Sequence, residues 1–350
     1  MSRVAILGSG VMGRVLGLYL LKLYPNLKID IYTNSLDYKT SCSYCAGGML
    51  APITELISCQ KHIYKLGLNS FELWRELNMF INENLDRNTS FVRKINTCVI
   101  AHNQDRSELD LAIRNIDLRL KNLNIRPFID ICSIEKVRAI NKGLSLSNTL
   151  YEKALITNEA LIDVPKFFEL TQELFLNLQD VRIFETTKEQ FYQERFDNVY
   201  EHIFDCTGIS SDGDIKLYGV RGESILLESK NIKLDSIIRF LHPRHSIYLI
   251  PRDDGIFYLG ATSIDSNDYS KISVQSTLEL LSMLVTVDKR FLEARILKTL
   301  TNVRPMSIDD KPIISTKGNI TYLNGLSRHG YLFSPMVAQT VIKNNCDFGG

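Results

Sequence analysis

The sequence predicts an α/β fold in which a nucleotide-binding domain is interrupted by a second, sheet-rich domain. The chain opens with a strand, a glycine turn, a helix and a second strand within about thirty residues, the context that a dinucleotide fingerprint requires. Residues 219–264 form a run of strand-like pieces typical of an antiparallel sheet. The chain has 350 residues, a length beyond which a single hydrophobic core stops growing.

The opening elements follow from periodicity and breakers. VAIL is apolar and unbroken, which predicts a buried strand, and RVLGLYLLKLY predicts a helix that ends at Pro25 and Asn26. LKIDIYT alternates in polarity and predicts the second strand.

The turn GSGVMG, residues 8–13 with Val11 and Met12 inside it, predicts a pyrophosphate site. A helix N-terminus offers unpaired N–H groups and a partial positive charge, and both hold an anion there. In this pattern Gly8 permits the tight turn, Gly10 lets the backbone approach the phosphates, and Gly13 lets the helix pack closely on the strand.

One part of the fingerprint is missing. The pattern calls for an acidic residue about twenty positions on, to bind a ribose hydroxyl. The second strand ends instead at Thr33 and Asn34, and strand alternation turns Asp30 the other way. Either Thr33 or Asn34 makes a weaker contact, or another loop holds the ribose.

The middle of the chain alternates between helical and strand patterns. Helical periodicity over 60–80 places Trp74 in the core, and FVRKINTCVIAHN predicts a strand that an amphipathic helix follows at 106–125. A helix beginning near Asp163 is predicted over 161–180, followed by strands at 181–194 and 198–208. The last strand ends at Cys206, Thr207 and Gly208, which suits a loop against a cofactor and an ordinary strand-end turn equally well.

The later strands define the second domain. Asp253-Asp254-Gly255 predicts a hairpin turn between two of them, and a helix follows at 276–288. We therefore expect a discontinuous first domain of residues 1–78, 148–212 and 301–350, and a second domain of residues 79–147 and 213–300.

Composition argues against several classes of protein. The 41 basic and 40 acidic residues give a net charge of +1, so nothing suggests a nucleic-acid partner. The first apolar stretch is broken by Lys22 and is too short to cross a bilayer, so we expect a cytoplasmic protein with no membrane partner. Seven cysteines argue against a disulfide framework. Cys42 and Cys45 form a CxxC that no second pair completes, so we expect small residues of a tight loop and no metal site.

Five stretches in order carry a family resemblance: GSGVMG, TSCSYCAGGMLAP at 40–52, SIYLIPRDDGIFYLGAT at 246–262, NVRPMSIDDKPIIS at 302–315 and YLNGLSRHGYLFSP at 322–335. Together they resemble the D-amino-acid-oxidase superfamily, and within it the glycine oxidases that supply the imine for thiazole formation in thiamine synthesis. The resemblance implies a discontinuous Rossmann-like FAD-binding domain and a substrate domain built on an antiparallel sheet. It also implies FAD bound non-covalently, because no cysteine occurs in RPMSIDDKPIIS.

The resemblance assigns a substrate clamp. Arg304 matches the arginine that holds the substrate carboxylate, a task for which a planar guanidinium is suited. Tyr248 matches the tyrosine whose hydroxyl helps to hold that carboxylate, and Arg328 matches a further arginine of the site. These three residues are the predicted catalytic group.

The resemblance also places two loops against the flavin. In the first, Ser43 is expected to hydrogen-bond the cofactor, and Tyr44 and Cys45 depart from the small residues that are usual there. The small neighbours of this loop leave room for backbone approach; they are Ala46, Gly47, Gly48 and Met49.

In the second loop, His329 replaces the usual asparagine, and a loop histidine without consequence is favoured over a proton-handling role. Gly330, Tyr331 and Leu332 are the predicted amides facing the flavin, with Ser334 and Pro335 starting a helix as N-cap and first residue. Thr207, Gly208, Arg304, Arg328 and His329 complete the predicted cofactor contacts.

The implied function is FAD-dependent oxidative deamination of glycine or another small amino acid. A hydride passes from the α-carbon to flavin and the electrons pass to oxygen, giving hydrogen peroxide. Alternatives left open are sarcosine, a D-amino acid or a tRNA side-arm amine as substrate, and a non-catalytic FAD-binding assembly protein. Expected partners are the amino acid, oxygen and further copies of the chain in a homo-oligomer.

Overall fold

A computed structural model of the chain describes residues 2–121, 123, 126–146, 150–194, 199–211 and 215–345. The domain boundaries predicted at 147–148 and 212–213 lie outside these described residues. Within the described part of the chain, no helix combines the length and the apolar character needed to cross a membrane.

The strands alternate with helices along the first half and cluster in the second. The strands are β1 (Arg3–Leu7), β2 (Lys28–Thr33), β3 (Met49–Leu50), β4 (Val92–Ala101), β5 (Ile129–Ser133), β6 (Lys153–Ile162), β7 (Val181–Glu185), β8 (His202–Asp205), β9 (Leu217–Glu228), β10 (Ser236–Leu241), β11 (Ile247–Pro251), β12 (Ile256–Gly260), β13 (Ile264–Asp265), β14 (Arg295–Ser307), β15 (Ile313–Lys317) and β16 (Ile320–Asn324).

The helices are interspersed among these strands along the chain. They are α1 (Val11–Leu23), α2 (Lys61–Gly67), α3 (Ser70–Leu85), α4 (Arg106–Leu120), α5 (Ile134–Ile140), α6 (Val164–Asn177), α7 (Lys188–Gln193), α8 (Val274–Val287) and α9 (Gly330–Asn345).

The first sheet has the order β15-β16-β8-β1-β2-β7. Strands β16, β8, β1, β2 and β7 run parallel, and β15 pairs antiparallel with β16 at one edge. In an open parallel sheet ligands bind beyond the carboxyl ends of the strands. The segments that follow β1, β2 and β8 are therefore brought together at one end of the sheet.

The second sheet has the order β13-β9-β12-β11-β10-β4-β6-β3, with β14 on β9 and β5 on β6. Its pairs are antiparallel apart from β10 on β4. The expected α/β architecture with a sheet-rich second unit is confirmed. Strands β6 and β14 lie in this sheet although the predicted boundaries assign all of β6 and residues 301–307 of β14 to the first domain. The domain division itself stays a prediction.

The strand predicted over 181–194 is wrong in its second half. Strand β7 ends at Glu185, and α7 begins after Thr187. The Thr187 hydroxyl accepts from the backbone N–H of Gln190, and the Gln190 side chain accepts from the Thr187 N–H, a complete capping box. The spacing Thr-x-x-Gln was present in the sequence and outweighs the apolar pattern.

The main apolar core joins the first sheet to α1, α3, α6 and α9. Trp74 is fully buried there, as the helical pattern predicted, and its ring meets Phe167 edge to face at 5.0 Å. A second core lies under the antiparallel strands β9–β12 and α8. Aromatic pairs of this kind hold the helices at fixed positions behind the loops that carry the candidate site.

Candidate active site

The structure brings nearly all predicted site residues to one cavity of about 400 Å³, a size typical of small-molecule sites. The predicted residues that line it are Gly8, Gly10, Val11, Met12, Thr33, Asn34, Ser43, Ala46, Gly47, Gly48, Met49, Thr207, Gly208, Tyr248, Arg304, Arg328, His329, Gly330, Tyr331 and Leu332. Gly13 does not line the cavity and instead packs against Gly8 and Ile6. The binding roles of these residues stay predictions.

Close backbone packing shapes the start of α1. Gly8 has a φ of +99°, and a Cβ there would lie 2.5 Å from the carbonyl oxygen of Cys206. A Cβ on Gly13 would lie 2.0 Å from the Gly8 carbonyl oxygen, so Gly13 serves helix packing as expected. The Ser43 hydroxyl accepts from the Val11 N–H at 2.9 Å. The amino end of α1 therefore presents backbone to the cavity, which suits an anion.

The end of β2 offers polar side chains but not Asp30. Asp30 is buried, accepts from the Tyr200 hydroxyl at 2.7 Å and pairs with Arg182 at 2.6 Å. Thr33 lines the cavity while its hydroxyl donates to the Ser35 carbonyl at 3.1 Å. Asp37 also lines the cavity, and sequence reasoning missed it. It is the first acidic residue after the strand, a signal that was available.

The loop after β2 is fastened to the second sheet. Gly48 has a φ of +79°, and a Cβ there would lie 2.4 Å from the Ile162 carbonyl oxygen. The partly buried Arg252 guanidinium donates to the Gly47 carbonyl at 3.0 Å, and the Tyr258 hydroxyl donates to the Cys45 carbonyl at 2.9 Å. The backbone of this loop is therefore held by residues in and next to the second sheet.

The cysteines of this loop have raised pKa values, which favour the protonated thiol. Cys42 and Cys45 line the cavity and are free, and burial raises the pKa of Cys42 to about 12. Burial also raises the pKa of Cys45. Tyr44, the other departure from the usual small residues, packs against Tyr38 and Phe168.

Arg304 extends from β14 to the cavity with few protein partners. Its Nη1 donates to the Thr262 carbonyl at 3.1 Å. A Cβ on Gly222 of the paired strand β9 would lie 2.1 Å from Arg304 Nη2, so the guanidinium lies against bare backbone. Sequence reasoning missed Gly222, because the β9–β14 register was not known.

Tyr248 and Tyr258 form one wall of the cavity. Their rings are parallel with centroids 6.1 Å apart, on the neighbouring strands β11 and β12. Burial raises the pKa of Tyr248. Its hydroxyl is therefore protonated at neutral pH and is able to donate to a carboxylate. Tyr258 was missed, although the Asp253-Asp254-Gly255 turn and strand alternation put the two tyrosines on one face.

Arg328 is surrounded by protein partners. Its Nε donates to Glu55 Oε2 at 3.1 Å, and its Nη2 donates to Cys59 Sγ at 2.8 Å and Ser58 Oγ at 3.0 Å. The charge of Glu55 raises the pKa of Arg328. Much of the hydrogen-bonding capacity of this guanidinium is used inside the protein.

Glu55 is the centre of this cluster and was missed by sequence reasoning. Arg239 donates to its other oxygen at 3.1 Å, and His329 Nε2 lies 2.8 Å from Oε2. Burial would raise the pKa of Glu55, but Arg328 and Arg239 hold it well below its usual range. Burial would lower the pKa of His329, but its bonds to Cys59 and Glu55 raise it. His329 is thus not the inconsequential loop residue that we expected.

The predicted helix start at Ser334 and Pro335 is wrong. Helix α9 begins at Gly330, and Pro335 lies inside it. Proline has no N–H, so the carbonyl of Tyr331 four residues earlier loses its helical donor. The indole N–H of Trp74 donates to that carbonyl at 2.7 Å instead. The start at Gly330 leaves the amides of Gly330, Tyr331 and Leu332 in the first helical turn, where N–H groups lack helical acceptors.

The chain matches the family model of FAD dependent oxidoreductases over residues 3–343. It is 29% identical over 342 residues to a protein of Rhizobium etli named as a thiamine biosynthesis oxidoreductase, covering 97% of this chain and 95% of that protein. It is 21% identical over 305 residues to a D-amino acid oxidase of Dugesia ryukyuensis, covering 86% of this chain and 82% of that protein.

Solved structures share the fold. A glycine oxidase from Geobacillus kaustophilus superposes with a TM-score of 0.80 at 16% identity, covering 98% of this chain and 94% of that one. A glycine oxidase from Bacillus cereus superposes with a TM-score of 0.79 at 19% identity, covering 99% and 96%.

Proposed function

The chain belongs to the family of FAD dependent oxidoreductases, and on that premise we propose that it oxidises a small amino acid, with glycine as the first candidate. The substrate loses a hydride from its α-carbon, and the imino acid hydrolyses to a keto acid and ammonia. Oxygen takes the electrons and becomes hydrogen peroxide. The Rhizobium etli relative supports a further proposal, that the imine serves thiazole formation in thiamine synthesis.

The residues of the cavity fit FAD. Gly8 and Gly48 have positive φ values that favour glycine, and a Cβ on either would strike a carbonyl oxygen. The amino ends of α1 and α9 meet at this cavity, and helix N-termini attract the negative charges that a flavin dinucleotide carries. When bound, FAD supplies the two-electron acceptor for the substrate hydride.

The observation that carries the proposed substrate class is that the Arg304 guanidinium and Tyr248 line the same cavity. Arg304 lines the cavity with a single carbonyl among the hydrogen-bond partners that the structure records for its side chain. A guanidinium pairs bidentately with a carboxylate, and a protonated Tyr248 hydroxyl adds a third donor. Holding the carboxylate fixes the α-carbon, and positioning of this kind contributes about 7–11 kcal/mol to catalysis. The protein need not supply a general base when the substrate amine binds neutral.

An anaerobic absorption experiment tests the proposal. We expect the purified protein to be yellow and its flavin absorption to bleach when glycine is added without oxygen. Sarcosine, D-alanine and D-proline are parallel additions that rank alternative substrates. Readmitted air should restore the flavin absorption and produce peroxide that catalase removes. A yellow protein that none of the four amino acids bleaches contradicts the proposal and favours a non-catalytic FAD-binding protein.

A further inference from the structure

Cys59 lies directly behind the cavity wall, in contact with groups that stabilise a thiolate. It is 7% exposed, and the residues that surround its sulfur, Glu55, Arg328 and His329, all line the cavity. Arg328 Nη2 is 2.8 Å from Sγ, and His329 Nε2 is 3.9 Å away. A guanidinium N–H can only donate, so the sulfur accepts from Arg328.

The charges of the cluster call for a second anion. The groups that face Cys59 are Glu55 from the segment before it, and Arg328 and His329 from the segment before α9. Arg239 of β10 faces Glu55 from the other side. Two guanidinium groups and an imidazole therefore surround one carboxylate. Cys59 is a further acid in contact with Arg328 and His329, and its ionisation would reduce the excess of positive charge.

Glu55, Cys59 and His329 are also residue types that bind metals, and their ligand atoms lie within 4.8 Å of one another. Arg328 and Arg239 already donate hydrogen bonds to the Glu55 carboxylate, and Arg328 also donates to the Cys59 sulfur. A divalent cation there would meet two guanidinium charges at close range, a repulsion that a metal site avoids. The geometry fits an anionic sulfur better than it fits a metal ion.

We propose that Cys59 is held as a thiolate and is the residue at which this protein is reversibly oxidised by hydrogen peroxide. The sulfur attacks one peroxide oxygen, so that an S–O bond forms and the O–O bond breaks. Sulfur loses two electrons, and the second oxygen leaves as hydroxide and takes a proton from solvent. The product is a sulfenic acid, which thiols reduce.

The direction in which the Cys59 pKa is shifted agrees with this geometry. Burial would raise the pKa of Cys59, but the hydrogen bond with His329 and the charge of Arg328 outweigh burial and the charge of Glu55, so that this pKa lies below its ordinary value. Cys98 and Cys206 are buried thiols whose pKa burial raises. They are matched internal controls, because reactivity follows thiolate character and not burial alone.

Oxidation would alter the cavity. Arg328 Nη2 and Cys59 Sγ are in contact at 2.8 Å, so an added oxygen on sulfur displaces the guanidinium from its place in the wall. The peroxide of the proposed function would then slow its own formation. This consequence depends on the proposed function, whereas oxidation of Cys59 itself does not.

The test uses the flavin-loaded protein and added hydrogen peroxide, without an amino acid, so that a failed oxidase assay leaves it intact. Dimedone traps sulfenic acid, and mass spectrometry of the digest locates the adduct. We expect the adduct on Cys59, none on Cys98 or Cys206, and loss of the Cys59 adduct in Cys59→Ser. Dithiothreitol added before dimedone should prevent it. An unlabelled Cys59 overturns the proposal.

The pH dependence of labelling separates a thiolate from an exposed thiol. Between pH 8.5 and 6, an ordinary thiol such as N-acetylcysteine loses about a hundredfold in thiolate fraction and so in rate. We expect the Cys59 rate to fall less steeply than the N-acetylcysteine rate over this range, and His329→Gln to restore the steeper fall. A wild-type rate that falls as steeply as that of N-acetylcysteine refutes the thiolate.

Discussion

Two arginines line the same cavity and differ in what holds them. Arg304 rests on bare backbone at Gly222 and donates to one carbonyl in the part of the chain that the structure describes. Arg328 is bound to Glu55, Ser58 and Cys59. A cation with few internal partners is available to a ligand, whereas a cation inside an ion cluster mainly builds the wall. The resemblance to glycine oxidases gave both arginines one catalytic role, and the contacts separate them.

Replacing Arg304 with alanine tests whether this guanidinium, which has few protein partners, binds the substrate. The variant loses two charge-assisted bonds to the substrate carboxylate, each about 2 kcal/mol, so we expect the KM for glycine to rise about 1,000-fold. Steady-state kinetics measure this rise, and flavin absorption should show that FAD remains bound. Arg304→Lys keeps the charge without the fork and should recover a small part of the loss. An unchanged KM in Arg304→Ala contradicts the clamp.

Replacing Glu55 with glutamine tests how much the ion cluster around Arg328 contributes to stability. It leaves Arg328, Arg239 and His329 around a neutral amide, and removing one partner of a buried ion cluster costs about 3 kcal/mol of unfolding free energy. Urea unfolding measures the loss. The control is Glu72→Gln, whose pair with Arg75 is exposed and should contribute under about 0.5 kcal/mol. Equal losses in the two variants would show that the cluster contributes no more than a surface pair.

Gly222→Ala sharpens the comparison by moving Arg304 without removing it. The new methyl would lie 2.1 Å from Nη2, so the guanidinium must shift. We expect the KM for glycine to rise about tenfold, a smaller effect than deletion because the charge remains. Gly17→Ala, a tight position in α1 against Phe175, is the control that should leave the KM unchanged. A similar KM change in both would point to general distortion.

The smallest effect concerns pH. The pKa of His329 in the folded protein lies above its ordinary 6.5, so its stabilisation is present below about pH 6.5 and is lost as the pH rises through the folded value. The difference in unfolding free energy between the wild type and His329→Asn should therefore be larger at pH 6 than at pH 9. A difference that grows with pH reverses the sign and refutes the protonated His329.

The sequence predicted the backbone side of the site well. Gly8, Gly10 and the strand–turn–helix order are local signals, and local signals survive without knowledge of the fold. Pro335 shows the limit of such signals, because its place inside α9 depends on Trp74, far away in the chain, taking the freed carbonyl.

The Arg328 cluster lay beyond sequence reasoning for the same reason. Glu55 and Arg328 are separated by 273 positions, and nothing near either residue announces the pair. Gly222 likewise matters only through the strand register that sets it against Arg304. Charged pairs and close approaches between distant segments are set by topology, and a single sequence does not specify them.

Trp74 is the single tryptophan of the chain, and its indole is hydrogen-bonded to a residue of the cavity wall. Indole emission overlaps flavin absorption, so energy transfer to FAD bound in this cavity should quench the tryptophan fluorescence. Stripping the prosthetic group ought to brighten it, and titrating it back ought to quench it in step with occupancy. Because Pro335 leaves the Tyr331 carbonyl free to accept from Trp74, the tryptophan fluorescence should report the fraction of the protein that carries FAD.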